Sequence, residues 1–370
     1  MRRLAPWLPV LLLACVLGGC GGRTQAAPNP VVEKGKATYA RLCATCHGPA
    51  GNGYVADNAP SLRSRTFLES ATDEFLAAGI TRGRPGTAMA AYGRAYGGPL
   101  IPEEVTAVVA FLREGGPAPI KLPAGKVMGD AKRGKVVFDS MCVRCHGTPA
   151  QRVSAVHLAN PTLLATASDQ FLKYAVEQGR PPTSMVPWKG ALQPQQIDDV
   201  VAYVRSFETT PPPPPPAPPP LPPAAPRTGP VVLNPKGRAP DFTLRDDRFV
   251  SIDQVKEALD KKRRLVIADA RPPSDWASMH ITGAISTPYY DAKALDDIPN
   301  DGTWVLAYCA CPHHVSGEVV DALRKRGYKH TAVIDEGIFA WKQKGYPVVE
   351  APGAVAPPAP PPAKMPSPHR

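Results

Sequence analysis

No stretch of this 370-residue chain is both long and apolar enough to cross a bilayer as a helix, which takes ~20 residues. The nearest approach, Trp7 to Leu17, is far shorter and follows Arg2 and Arg3. Acidic residues are in deficit: 32 Asp and Glu face 43 Lys and Arg, for a net charge of +11. The basic residues are scattered and no nucleic-acid-binding motif accompanies them, so nucleic acid is not expected as a partner. The surplus favours acidic partners and small anions, by steering encounters more than by affinity. Cysteine is scarce as well. Of eight, Cys15 and Cys20 lie in the N-terminal segment, four sit in two short repeats, and Cys309 and Cys311 stand apart. That distribution excludes a disulfide framework.

Proline is what the chain has in excess, with 47 residues. Thr209 to Pro226 is almost entirely proline and alanine, which favours extended polyproline II and acts as a semi-rigid spacer of ~3.1 Å per residue. A second Pro/Ala tract, Ala351 to Arg370, reads as a disordered tail. A shorter break runs from Gly115 to Ala124. The expected organisation is a signal over 1–20, units over 30–115 and 126–208, a linker over 209–240, a third unit over 241–350 and the tail over 351–370. The length suits two to three domains, and the spacer is expected to keep the two halves of the chain independent.

The string Cys-x-x-Cys-His occurs twice, as Cys43-Ala44-Thr45-Cys46-His47 and Cys142-Val143-Arg144-Cys145-His146. It is the attachment signature for c-type haem: two thiols form thioethers to the haem edge and the adjacent histidine reaches the iron. A zinc site or a dithiol redox centre would not need a histidine fixed right after the second cysteine. Each copy is followed by Gly-Arg-Pro-x-Thr-x-Met, ending in Met89 and in Met185. A nearly constant offset over a whole segment marks a duplicated unit. Core filling is the ordinary role of methionine and suits Met128, Met141 or Met279. Two methionines at equivalent places in Gly/Pro-rich loops are better read as second axial ligands, which raise the potential of a haem. Two covalently bound haem c groups are therefore expected.

The duplication extends further. Gly35 and Tyr39 precede the first motif as Gly134 and Phe138 precede the second, a glycine and an aromatic on one helix face. Each glycine would let another helix approach closely, and the partner should be the last helix of each unit. Those helices open at Pro102-Glu103-Glu104 and Pro194-Gln195-Gln196, then continue as Val108-Val109-Ala110-Phe111-Leu112-Arg113 and Val200-Val201-Ala202-Tyr203-Val204-Arg205. The pattern resembles class I cytochrome c. The resemblance implies small all-α domains, each wrapped on one haem, that carry electrons between redox partner proteins.

The N-terminal segment ends in Leu17-Gly18-Gly19-Cys20, which resembles a bacterial lipoprotein signal. In that family the chain is cut before the cysteine and the cysteine is acylated. Cys20 is the expected lipidation site, with Leu13-Ala14-Cys15 the weaker candidate and plain secretion the alternative. Either way the chain is expected in the bacterial periplasm or cell envelope, with lipid as its membrane anchor.

Beyond the spacer the pattern changes. Apolar runs Leu265–Asp269, Trp304–Tyr308 and Thr331–Ile334 read as buried strands, with helical stretches over 317–326 and 338–344. The alternation argues an α/β unit with a parallel sheet. Asp269-Ala270-Arg271, Trp276, His280-Ile281-Thr282-Gly283, Tyr308-Cys309 and Gly337 with Trp341 and Gly345-Tyr346-Pro347 resemble the rhodanese family. The resemblance implies sulfane-sulfur transfer through a persulfide on Cys309, on a small sulfur anion as substrate. A cysteine at a strand end facing a helix N-terminus is thiolate-rich. His280 is structural in that family and receives no catalytic role.

The loop after Cys309 departs from the family. It reads Cys309-Ala310-Cys311-Pro312-His313-His314, without the usual glycine and arginine. Cys311 could attack a persulfide on Cys309 and leave a strained, easily reduced bond. His313 and His314 could hold an anion or favour the thiolate, or one of them could join the two thiols around a soft metal. A degenerate fold used only for docking a partner is the remaining alternative. The combined expectation is two all-α cytochrome c domains joined to one α/β rhodanese-like domain, with electron transfer coupled to sulfur chemistry.

Overall fold

A computed structural model of the protein describes residues 28–207, 230–310 and 313–352. Cys20, the proline spacer, Cys311 and the tail beyond residue 352 lie outside these. Ten helices form the N-terminal half: α1 (Pro30–Leu42), α2 (Ala44–His47), α3 (Arg65–Ser70), α4 (Asp73–Arg82) and α5 (Pro102–Arg113), then α6 (Ala131–Met141), α7 (Val143–His146), α8 (Pro161–Thr166), α9 (Asp169–Gln178) and α10 (Pro194–Arg205). The second five repeat the first.

Local chemistry sets these elements. The side chain of Asn29 accepts from the Val31 N–H and Pro30 opens α1, where its missing N–H costs nothing. At α5 the Glu104 side chain reaches back to the Ile101 N–H, and Gln196 does the same for Gln193 at α10. The first and last helices of each unit then cross at a glycine. A Cβ added at Gly35 would lie 1.9 Å from the Ala107 carbonyl oxygen, and one at Gly134 would lie 1.9 Å from that of Asp199. Nothing larger fits either crossing. Tyr39 packs on Phe111 with ring centroids 5.1 Å apart, and Phe138 on Tyr203 at 5.3 Å.

The two helical units share one apolar core. Phe75 and Phe171 meet at 4.6 Å between centroids, with Phe67 edge-on to both. Arg84 lies over Phe75, and Arg180 lies over Phe171. Cation–π contact suits these largely desolvated guanidinium groups.

The C-terminal unit is α/β. Strands β1 (Phe249–Val250), β2 (Leu265–Asp269), β4 (Ile285–Ser286), β5 (Trp304–Tyr308) and β6 (Thr331–Ile334) form a sheet in the order β1-β6-β5-β2-β4. All its pairings are parallel. Strands β3 (Met279–Ile281) and β7 (Val348–Glu350) pair antiparallel beside it. Helices α11 (Ile252–Asp260), α12 (Pro273–Ser278), α13 (Val315–Lys325) and α14 (Gly337–Gln343) surround it. The central strands are buried throughout, as a sheet covered on both faces requires. Helix α13 begins two residues before the expected Gly317, because Ser316 and Gly317 also turn inward.

The halves are not independent. Tyr289 donates from its hydroxyl to the Leu42 carbonyl at 2.8 Å, and Ser274 donates to the Ala91 carbonyl at 3.0 Å. A proline spacer sets how far a unit can reach; whether two faces bind is decided by those faces.

Candidate functional site

Each Cys-x-x-Cys-His string occupies one short helix. Cys43 caps α2 and His47 ends it; Cys142 caps α7 and His146 ends it. One turn thus presents both thiols and the imidazole to the same side. His47 donates from Nδ1 to the Pro60 carbonyl at 2.9 Å, and His146 donates from Nδ1 to the Val156 carbonyl at 2.9 Å. Hydrogen positions follow from the acceptors, since a carbonyl can only accept. Burial lowers the pKa of both rings and keeps them neutral. Nε2 is left with its lone pair in each case, the state a metal ligand needs.

The methionine loops are built alike. The Arg84 N–H donates to the Met89 carbonyl and the Arg180 N–H to that of Met185, both at 2.7 Å. The Thr87 and Thr183 hydroxyls accept from the Met89 and Met185 N–H groups at 3.1 and 3.2 Å. Two thiols, one neutral imidazole with a free Nε2 and one anchored thioether make a donor set that fits haem c at each place. The cysteines of neither pair are joined to each other. Burial, then the neighbouring Cys46, pushes the Cys43 thiol up to about 12. Burial does the same to Cys46, with Asp57, Cys309 and Glu318 adding to it.

In the α/β unit Asp269 and Arg271 form a buried bidentate pair, with Nε at 2.9 Å from Oδ1 and Nη2 at 2.6 Å from Oδ2. The Tyr308 hydroxyl donates to the same carboxylate at 2.7 Å. This network fixes the end of β5, and the next residue is Cys309, only 1% exposed. Its Sγ lies 3.2 Å from the Ser316 Oγ in the first turn of α13. The Ile338 N–H donates to the Cys309 carbonyl at 3.0 Å. His313 is held by Asp335 and packs tilted against Phe249, with ring centroids 4.3 Å apart. The expectation that it holds an anion beside the thiol is therefore not met, because a carboxylate already occupies its Nε2. Among the described residues no three His, Cys, Asp or Glu side chains converge as metal ligands. His280 stacks on Trp276 and bonds its carbonyl at 2.7 Å, a structural role.

Cys309 does not open to solvent. It lines a cavity together with Ala310, Arg271 and Asp275 from its own unit and Thr45, Cys46 and Tyr92 from the first helical unit. The sequence brought Cys46 and Cys309 to notice separately and did not bring them together. Tyr92, Tyr289, Ser274 and Asp275 went unnoticed. The one signal is Tyr289-Tyr290, two adjacent aromatics at the centre of the turn that Pro288 opens.

Two known sequence families match successive parts of the chain. The sequence family described as cytochrome c oxidase, cbb3-type, subunit III matches residues 30–112 and 129–204, and the rhodanese-like domain family matches residues 251–344. The chain is a cytochrome c fused to a rhodanese-like domain. It is 31% identical over 182 residues to the cbb3-type cytochrome c oxidase subunit FixP of Bradyrhizobium diazoefficiens, covering 47% of this chain and 60% of that protein. The rhodanese-like part is 32% identical over 97 residues to the probable adenylyltransferase/sulfurtransferase MoeZ of Mycobacterium tuberculosis, covering 25% of this chain and 24% of that protein. It is also similar to the rhodanese-like domain of the Anabaena Alr3790 protein, at 23% identity and a TM-score of 0.26, over 32% of this chain and 85% of that one. The chain thus spans about three fifths or less of the curated relatives it matches. Cytochrome c domains carry covalently bound haem c, and the cytochrome–rhodanese chain has the donor sets for it. Among the described residues no helix is long and apolar enough to cross a membrane.

Proposed function

We propose that this chain is an exported, lipid-anchored dihaem cytochrome c whose electron transfer is coupled to sulfur chemistry at Cys309. Cys43, Cys46 and His47 with Met89 would hold one haem, and Cys142, Cys145 and His146 with Met185 the other. Cys20 would carry the lipid, leaving the protein at the envelope of a bacterium. The basic surplus suits acidic redox partner proteins.

The observation that carries this reading is that Cys46 and Cys309 wall one and the same cavity. The first turn of α13 and its positive dipole end favour a thiolate at Cys309. Hydrosulfide and that thiolate can join in one S–S bond, giving a persulfide, one proton and two electrons. Haem c, when bound, supplies a one-electron acceptor, so two of them match the two electrons released. The Asp269–Arg271–Tyr308 network holds Cys309 in register.

The test adds sulfide, thiosulfate or a persulfide to the oxidised protein while the haem absorption bands are followed. Reduction in the native protein and its loss in Cys309→Ser are expected. Reduction that is equal in Cys309→Ser would overturn the coupling. The burial of Cys309 favours one second reading, a plain electron carrier whose rhodanese-like domain only docks. On that reading no sulfur donor alters the haem bands in either protein.

A further inference from the structure

We infer that the first cytochrome unit is a movable cover over the Cys309 site, so that a dissolved sulfur donor reaches this thiol only when the cover lifts. The inference rests on the reading of Cys309 as the reacting thiol for its purpose, though its geometry stands apart from that reading.

Four polar contacts define the cover. Tyr289 donates to the Leu42 carbonyl at 2.8 Å, Tyr92 and Tyr289 share a hydroxyl contact at 3.2 Å, Ser274 donates to the Ala91 carbonyl at 3.0 Å, and Thr45 donates to Glu318 Oε1 at 2.7 Å. On the cytochrome side they come from two segments only, the attachment turn and the stretch just after Met89. On the rhodanese-like side they ring the mouth of the Cys309 site. The backbone approach is close as well: a Cβ at Gly97 would lie 3.2 Å from the Ser274 Cα. Ala88, next to Met89, packs on the apolar core of the rhodanese-like unit.

Such an interface is built to open. Each hydrogen bond contributes a net of about 1 kcal/mol, and the two tyrosines, though packed against the cores on either side, are themselves only partly buried. A covalently tethered partner re-docks readily, because the tether keeps its effective concentration high. Closed, the contact leaves Cys309 only 1% exposed. Open, it exposes the thiol to a donor.

The experiment follows alkylation of Cys309 by iodoacetamide in the full-length, haem-loaded protein, read by peptide mass. Ser274→Arg puts a long side chain where Gly97 leaves no room, and labelling should accelerate at least about tenfold. Ser274→Ala keeps the fit but loses the bond to Ala91, and should label at most about fivefold faster than the native protein. The pair Gly97→Cys and Ser274→Cys places Cβ atoms 3.4 Å apart, close to disulfide geometry. Once oxidised it should slow labelling, and reduction should restore it. Haem absorption reports that each variant is folded. Labelling at the native rate in both Ser274→Arg and the cross-linked pair overturns the cover. Labelling that shifts as expected, while no sulfur donor forms an adduct on Cys309, upholds the cover and sinks the sulfur reading.

Discussion

Asn160, in the second cytochrome unit, donates from its side-chain amide to the carbonyl of Pro85, in the methionine loop of the first, at 2.9 Å. The converse bond exists at the equivalent place: Ser64 of the first unit donates to the Pro181 carbonyl of the second loop, also at 2.9 Å. Thr66 adds a bond to the Gly179 carbonyl at 2.7 Å. Each unit therefore straps the other's methionine loop, and the two ligand sets are mechanically linked.

That strap can be cut without losing the helix it caps. Asn160 also accepts from the Leu163 N–H at 3.2 Å. Asn160→Asp keeps that acceptor and removes the donor to Pro85, losing one partly buried hydrogen bond at a cost of roughly 0.5–1.5 kcal/mol. The methionine–iron band of the first site should weaken although the change lies in the second unit. Asn160→Ser, which copies the Ser64 arrangement, should restore it. A full-strength band in Asn160→Asp would show that the strap does not hold the loop.

Met89→Ala and Met185→Ala should each remove about half of the far-red methionine–iron band, because His/Met ligation is expected at both irons. Both variants should remain folded, since these residues lie in loops. If neither change alters that band, the axial assignment is wrong.

Gly35→Ala and Gly134→Ala test the duplicated helix crossing. A Cβ at 1.9 Å from a carbonyl oxygen must push two helices apart, and overpacking of this kind costs roughly 1–3 kcal/mol or more. Thermal unfolding followed by haem absorption should move to lower temperature in both variants, by similar amounts. A change below a degree in either would contradict the close approach.

Burial raises the Asp275 carboxyl from 3.8 to about 6; Asp269 adds to this and Arg271 opposes it. Between those two values the folded protein keeps a proton that the unfolded chain has released. Stability therefore falls as pH rises through that window and is level above it. Asp275→Asn should remove that slope and stabilise the rhodanese-like unit at neutral pH by on the order of 3 kcal/mol. Urea midpoints taken across the window would check it, and an unchanged slope in the variant would assign the titration elsewhere.

Much of this protein could be read along the chain. Both attachment motifs, both methionine loops and the Gly35/Tyr39 and Gly134/Phe138 pairs are local strings whose spacing carries their chemistry. Strands β2, β5 and β6 fall where the apolar runs placed them, since a strand buried on both faces has no polar positions to interrupt it. Residues far apart in sequence could not be read in this way. Asn160 and Ser64 look like ordinary helix caps until the two units are packed together. Tyr92 and Tyr289 look like surface aromatics until one unit meets the other. A proline spacer says how far the rhodanese-like unit can travel, and only the shapes and hydrogen-bonding groups of two folded surfaces place Cys309 against the turn that holds Cys46.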